Sequence, residues 1–126
     1  MVKHNNIKTG NLGEDLVVKY LKKDLEFKII DRNFSYKTGE IDIIAKDKRT
    51  VVFVEVKALD AKYIEYFKPE EHFDYKKAQR VIKTAQVYLI KNNYPEDTDY
   101  RIDLAALEIN NANKVARLRY YRNAVR

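Results

Sequence analysis

Four charged residues interrupt the apolar core pattern of the segment GEIDIIAKDKRTVVFVEVK, at positions 39–57. They are Glu40, Asp42, Glu55 and Lys57. The segment predicts two strands joined by a short hairpin turn. Because side chains alternate between the faces of a strand, the two charged pairs share one face of the hairpin. The opposite face is apolar in both strands and carries Ile41, Ile43, Ala45, Val52, Val54 and Val56.

The spacing of these charges predicts a metal-dependent hydrolytic site. If residues 47–50 form the turn, Asp42 lies opposite Glu55 and Glu40 opposite Lys57. Two carboxylates opposed across strands repel each other and need a cation, a raised pKa or separation by sheet twist. Mg²⁺ or Mn²⁺ bound by Asp42 and Glu55 is the natural solution, because hard cations prefer oxygen ligands. With Lys57 positioning a water, the pattern indicates phosphodiester hydrolysis.

Two predicted helices flank this hairpin in the sequence. The first covers residues 11–27, with Thr9 or Asn11 as its cap and Glu14 in its first turn. Glu14 either adds an oxygen to the metal site or is a surface glutamate that interacts favourably with the helix dipole. The second helix covers residues 74–92. Its basic residues are most simply a solvated face that also leans on DNA: Lys76, Lys77, Arg80 and Lys83.

The remaining strands complete an α-β-β-β-α-β-β order within 126 residues. Strands are expected at residues 27–34, 40–45, 51–57, 100–109 and 115–121, and the segment after Lys57 is irregular with Pro69 as its break. This order predicts an α/β or α+β architecture. The length predicts one domain spanning residues 1–126.

Composition favours a nucleic-acid partner. The net charge is +6 and there is no cysteine, so disulfides and thiolate metal sites are excluded. Near the C-terminus, arginines interleave with Tyr120 and Tyr121: Arg117, Arg119, Arg122 and Arg126. Such a run either grips phosphates and stacks on bases or is a final strand with a frayed tail. Without a signal-like segment or a long apolar run, we expect a cytoplasmic protein that does not enter a membrane.

The same residues carry a family resemblance. Asp42, followed after twelve residues by Glu55-Val56-Lys57, resembles the D-x(n)-E-x-K signature of the PD-(D/E)XK nuclease superfamily. The stretches GNLGEDLVVKYL, DRNFSYKTGEIDIIAKD, VVFVEVK, KKAQRVIKTAQVYL and YRIDLAAL resemble the UPF0102 (YraN-like) family, which is similar to archaeal Holliday junction resolvases. The resemblance implies a restriction-endonuclease-like α-β-β-β-α-β core with a mixed central sheet flanked by helices. It also implies Glu14, Asp42, Glu55 and Lys57 as catalytic residues, with Glu14, Asp42 and Glu55 as metal ligands.

Further matches concern residues outside the hairpin. Arg32 and Asn33 match an RN pair of the family, and Lys77 matches a lysine at the start of its second core helix. Arg101 and Asp103 match an R-[FI]-D stretch that we interpret mainly as structural. The residues expected to contact DNA are Arg32, Lys77, Arg119 and Arg122.

One segment departs from the family pattern. After Lys57 the family often has an arginine and a glycine-containing loop, and the sequence VKALDAKYIEYFKPEE has neither. In such folds this loop shapes the substrate entrance. Its aromatic residues Tyr63, Tyr66 and Phe67 are a candidate dimer surface, a DNA-contacting flap or part of the core.

Three hypotheses follow from the sequence. The first is an Mg²⁺- or Mn²⁺-dependent endonuclease for DNA, including branched or junction DNA, for which paired cuts would require a homodimer. The second is a DNA-binding protein that keeps the fold without cutting. The third is a structural domain whose charges form simple ion pairs, Glu40 with Lys57 and Asp42 with Arg32 or Lys37. His4 and His72 are too isolated to suggest a zinc site.

Overall fold

A single five-stranded sheet organises the chain. The computed structural model describes residues 2–63, 68–112 and 114–125. Its elements are α1 (Val2–Lys23), β1 (Lys28–Tyr36), β2 (Gly39–Asp47), β3 (Thr50–Asp60), α2 (Tyr75–Lys91), β4 (Tyr100–Asn110) and β5 (Val115–Tyr121), with 3₁₀ turns at Ala61–Tyr63 and Pro69–His72. Neither helix in these ranges combines the length and the apolar character needed to cross a membrane.

The sheet is mixed, as predicted. Its strands follow the order β1-β2-β3-β4-β5, and only the β3–β4 pair is parallel. A parallel pair needs a crossover connection, which α2 provides. The predicted α-β-β-β-α-β core is therefore confirmed, with β5 added at the far edge. Strand β3 is longer than predicted, because it continues through residues 58–60 alongside β4.

The two helices cover opposite faces of the sheet. Val17 and Leu21 of α1 pack in one buried apolar cluster, and Val81 and Ala85 of α2 pack in the other. The central strand β3 supplies both clusters in alternation: Val52 and Val54 face α1, while Val51 and Phe53 face α2. A strand buried on both faces has the continuous apolar run that its sequence shows.

The first helix differs from the prediction at both ends. It begins at Val2 and ends at Lys23, so Thr9 and Asn11 lie inside the helix and do not cap it. No proline interrupts residues 2–10 to stop the helix there. At the other end the chain leaves the helix through Glu26, whose φ of 59° is incompatible with a continued right-handed helix.

The predicted apolar face of β2 is broken at Asp42. Ile43 packs in the cluster against α1, whereas Ile41 packs in the cluster against α2. On the neighbouring strand, Phe34 pairs with Ile41, and the preceding residue, Asn33, has a left-handed φ of 56°. This backbone reversal accompanies the change of face, so the prediction that Ile41 and Ile43 share a face is wrong.

Candidate functional site

The β2–β3 hairpin has the predicted register up to the candidate site. Lys46 pairs with Val51 and the ladder ends at Ile43 with Val54. The next predicted pair, Asp42 with Glu55, is not part of the ladder. Instead, the Asp42 Oδ2 atom accepts a hydrogen bond from the Val56 N–H at 2.7 Å. At the point where β2 and β3 separate, the Asp42 side chain therefore accepts the hydrogen bond of a β3 backbone N–H.

A cavity of about 350 Å³ opens where the two strands separate. The start of β2, the C-terminal part of β3 and the first turns of α2 form its walls. The lining residues are Gly39, Glu40, Asp42, Glu55, Val56, Lys57, Lys77, Arg80 and Val81. All four charged residues predicted from the hairpin therefore lie in one cavity.

Glu55 is the buried centre of this cavity. Only 5 % of the residue is exposed. Its Oε2 atom lies 3.5 Å from Lys57 Nζ and 3.4 Å from Lys77 Nζ. A buried carboxylate is costly unless its negative charge is paired. Two lysines from different elements, Lys57 of β3 and Lys77 of α2, pair with this one.

Lys77 belongs to the site and not to a solvated helix face. The Asp74 side chain caps α2 by accepting the Lys77 backbone N–H at 2.9 Å. The helix begins here, and the Lys77 side chain extends from its first turn to Glu55 on β3. The interpretation of Lys77 as part of a solvated surface is wrong.

The neighbouring carboxyl groups of Asp42 and Glu55 repel each other when both are ionised. Burial raises the pKa of Asp42 to about 7, and the hydrogen bond and negative charge of Glu55 add to this effect. The Val56 N–H and the Lys57 ammonium oppose it. The predicted carboxylate repulsion is therefore present, although the strand ladder itself does not extend to this pair.

The pKa values of Lys57 and Lys77 shift in opposite directions. Burial lowers the pKa of Lys57, and the neighbouring Lys77 lowers it further. Burial alone would also lower the pKa of Lys77, but its hydrogen bond with Lys57 and the charges of Glu55 and Asp42 raise it above the ordinary value. The side chain of Lys57 is the more buried of the two, 19 % exposed against 38 %. Lys57 is thus the better proton acceptor and Lys77 the more persistent cation.

Glu14 reaches Asp42 from the α1 side of the sheet. Burial raises the pKa of Glu14, and the negative charge of Asp42 raises it further, while Arg32 opposes both. The Glu14 carboxylate lies 3.6 Å from the Arg32 guanidinium. Glu14 is electrostatically coupled to Asp42 but does not line the cavity.

The candidate metal ligands form a pair and not a closed cage. Among the side chains of residues 12–63, 68–71, 73–112 and 114–125, no three His, Asp or Glu groups converge closely enough to hold a metal ion by themselves. Asp42 and Glu55 provide two adjacent carboxyl groups. This all-oxygen pair fits Mg²⁺, which commonly takes one or two carboxylates together with substrate phosphate and water.

Arg32, expected to contact DNA, is already paired. Its Nη2 atom donates to Asp15 at 3.0 Å and lies near Glu14. Lys57 pairs with Glu55. The structural hypothesis paired Glu40 with Lys57 and Asp42 with Arg32 or Lys37. The structure instead pairs Lys57 with Glu55 and Arg32 with Asp15 and Glu14.

Arg119 and Arg122 lie outside the cavity. Arg119 bonds to Glu70 of the second 3₁₀ turn and to Glu108 of β4, the latter at 2.7 Å. Arg122 Nη1 lies 3.7 Å from Asp47, at the tip of the hairpin. The strand rise places Asp47 roughly 17 Å from Asp42. The fold does not bring these two arginines into the cavity.

The C-terminal strand completes a buried polar network around Asp103. Asp103 is fully buried and bonds to Arg101 Nε at 3.0 Å. It also accepts hydrogen bonds from the Tyr120 hydroxyl at 2.6 Å and the Asn123 N–H at 2.8 Å. The structural interpretation of Arg101 and Asp103 fits this network. Tyr120 is half-buried and lies on β5, as the alternative of a final strand expected, and base stacking by this run remains a prediction.

Arg80 is a cavity residue, although its place in the basic row of α2 predicts a solvated helix face. It lies one helical turn after Lys77 and on the same side of α2. As the sixth residue of α2, Arg80 carried no sequence signal that separates it from the exposed Lys76 and Lys83.

Part of the predicted dimer surface falls outside the described residues. Tyr63 ends the first 3₁₀ turn and is 37 % exposed. Tyr66 and Phe67 lie outside the described residues, as does Arg126. The side chains of His4 and His72 are also outside the description.

The fold and its relatives define the class of this protein. The mixed sheet with a helix on each face is a restriction-endonuclease-like α/β fold. Residues 13–107 match the model of "Uncharacterised protein family UPF0102". The chain is 39% identical over 115 residues to a UPF0102 protein of Clostridium botulinum strain Hall, covering 91% of each chain. It is 42% identical over 102 residues to a UPF0102 protein of Persephonella marina, covering 81% of this chain and 84% of the relative. The chain belongs to the UPF0102 family.

Proposed function

We propose that this protein is a metal-dependent endonuclease that hydrolyses phosphodiester bonds in DNA, with branched or junction DNA as its substrate class. One observation carries the proposal. Two carboxyl groups, Asp42 and Glu55, are held together in a cavity that also contains Lys57 and Lys77. Perturbed carboxyl groups beside lysines in a cavity are typical of functional sites.

Asp42 and Glu55 are the proposed ligands of Mg²⁺ or Mn²⁺. A cation between them would offset the repulsion that raises the pKa of Asp42. When bound, such an ion supplies Lewis-acid polarisation of the phosphate and lowers the pKa of water. Glu14 acts on this pair through its electrostatic coupling to Asp42.

The lysines supply the proton and charge chemistry. Lys57 orients the attacking water and, in the neutral form that burial favours by lowering its pKa, accepts the proton of that water. The water oxygen bonds to phosphorus while the opposite ester bond breaks, and the leaving oxygen takes a proton from solvent. Lys77 keeps its charge beside the developing negative charge. Both lysines reach this position through their contact with Glu55.

The test is cleavage of labelled linear, nicked, flap and four-way-junction DNA with Mg²⁺ or Mn²⁺. We expect the native protein to cut at least one substrate, and Asp42→Ala and Lys57→Ala to reduce the rate at least about 100-fold. Glu96→Gln removes an exposed carboxylate from the α2–β4 loop and serves as the matched control. Cutting by Asp42→Ala at the native rate would refute the proposal.

A second candidate is a DNA-binding protein that does not cut. The observation in its favour is that the Glu55 carboxylate is already paired with two lysines. The described residues also hold no cluster of three potential ligands. Under this candidate, junction DNA binds equally well with Mg²⁺ or EDTA and remains intact in both.

A further inference from the structure

The helix wall of the cavity carries a cation that the proposed chemistry does not use. Arg80 follows Lys77 by three residues on α2, and both line the cavity with Glu55. Residues three apart are neighbours on a helix surface, separated by about 4.5 Å along its axis. Arg80 therefore lies about one helical turn from Lys77, the α2 residue that contacts Glu55.

Arg80 is exposed at the cavity, and no carboxylate of the described residues is paired with it. Glu55 is neutralised by Lys57 and Lys77. Glu40 lines the same cavity, yet among the described residues no carboxylate forms an ion pair with the Arg80 guanidinium. Arg32, by contrast, is paired with two acids. Arg80 is thus a cation at the cavity whose natural counter-ion is an anionic ligand.

The β1–β2 turn holds the base of Arg80 in place. Thr84, fully buried, donates to the Arg80 carbonyl at 2.9 Å, and its hydroxyl is hydrogen-bonded to that of Thr38 at 2.7 Å. A Cβ at Gly39 would lie 3.8 Å from the Arg80 Cβ. The turn and the helix are therefore joined at the point from which the Arg80 side chain starts.

We propose that Arg80 binds the DNA phosphate next to the one that is cut, which fixes the position of the strand in the site. This inference rests on the proposed nuclease function. The reacting phosphate belongs beside Asp42, Glu55 and Lys57, and Arg80 is one helical turn away from their lysine partner. A guanidinium presents a planar fork that matches two phosphate oxygens, which a lysine cannot do.

The test measures DNA binding in EDTA as a function of salt concentration, so that no cutting occurs. We expect Arg80→Gln to weaken binding about ten-fold and to reduce the salt slope by about one. Arg80→Lys should keep the slope and recover only part of the affinity. Lys83→Gln removes the same charge three residues further along the helix, outside the cavity, and should bind within about two-fold of the native protein. Circular dichroism of each variant checks folding.

A neutral-backbone scan locates the contact. Single methylphosphonates are placed in turn around the junction of the preferred substrate. At one position, the methylphosphonate should weaken DNA binding by the native protein but not weaken binding by Arg80→Gln any further. That position should flank the cleavage position. Equal losses for Arg80→Gln and Lys83→Gln, with no such position, would overturn the inference while the nuclease proposal stands. Absence of DNA binding by the native protein would overturn both.

Discussion

Gly13 of α1 lies so close to β3 that a Cβ added to it would be 2.9 Å from the Cβ of Ala58 and 3.2 Å from Leu107 Cδ1. This separation is shorter than ordinary side-chain contact. The absence of a side chain at Gly13 therefore lets the helix rest directly on the sheet. Glu14, the next residue, is electrostatically coupled to Asp42.

Gly13→Ala should loosen that arrangement. We expect a loss of about 1–3 kcal/mol in the free energy of unfolding, because an added methyl group must displace α1 or β3. Chemical denaturation measures the loss. Lys19→Ala, at an exposed position of the same helix, should change stability by less than about 0.5 kcal/mol. In an Ala58→Gly background the effect of Gly13→Ala should shrink, and an unchanged effect would argue against direct contact.

Metal ions should stabilise the native protein through Asp42 and Glu55. With Mg²⁺ at 100 times its dissociation constant, binding adds about 2.7 kcal/mol, which raises the melting temperature by several degrees. Thermal unfolding with and without Mg²⁺ measures the shift. The double variant Asp42→Asn, Glu55→Gln should lose it, whereas Glu96→Gln should retain it. A shift of equal size in the double variant would place the metal elsewhere.

The pairing of Glu70 with Arg119 should make stability sensitive to acid. The hydrogen bonds from Arg119 lower the pKa of Glu70 to about 2, from an ordinary value of 4.5. Its contribution is therefore present above pH 4.5 and disappears as the pH falls towards 2. Glu70→Gln should melt a few degrees below the native protein at pH 7, and the difference should vanish near pH 2. Glu71→Gln, the exposed neighbour, is the control, and a pH-independent difference for Glu70→Gln would contradict this prediction.

Removing a hydrogen-bond partner of the buried Asp103 should lower the free energy of unfolding. Tyr120→Phe removes the hydroxyl that bonds to Asp103 and should destabilise the protein by about 1–3 kcal/mol. Tyr121→Phe removes the corresponding hydroxyl bond to Glu70 at the surface and should have a smaller effect. Asp103→Ala leaves Arg101 without its buried carboxylate and should lose about 3–5 kcal/mol. Equilibrium unfolding of the three variants should give that order, and equal values would contradict it.

The hairpin was predictable because local rules determine it. The turn and the alternation of apolar residues fixed the pairing of Lys46 with Val51, and a one-residue slip would have exposed the core. The register also predicted that Asp42 and Glu55 lie close together, although the ladder ends one pair before them. The fold class followed from the order of the elements and from the family resemblance.

The remaining site geometry depends on contacts that local patterns do not encode. The change of face at Ile41 accompanies a left-handed residue on the adjacent strand, Asn33. Lys77 reaches Glu55 only because the α2 cap lies beside the sheet. Arg119 meets Glu70, which is 49 residues away in the chain. Such pairings require the tertiary structure, so the sequence left Arg119 as a candidate DNA contact.

The Asp103 network also sets an order of events during synthesis. Its partners Tyr120 and Asn123 are translated 17 and 20 residues after Asp103. Until they emerge from the ribosome, β4 carries a carboxylate that lacks two of the hydrogen bonds it has in the finished core, and burying it is unfavourable. The arrival of β5 therefore lowers the cost of burying β4, the strand that pairs with β3 and its residues Glu55 and Lys57. All residues that line the cavity are synthesised before this stabilising strand.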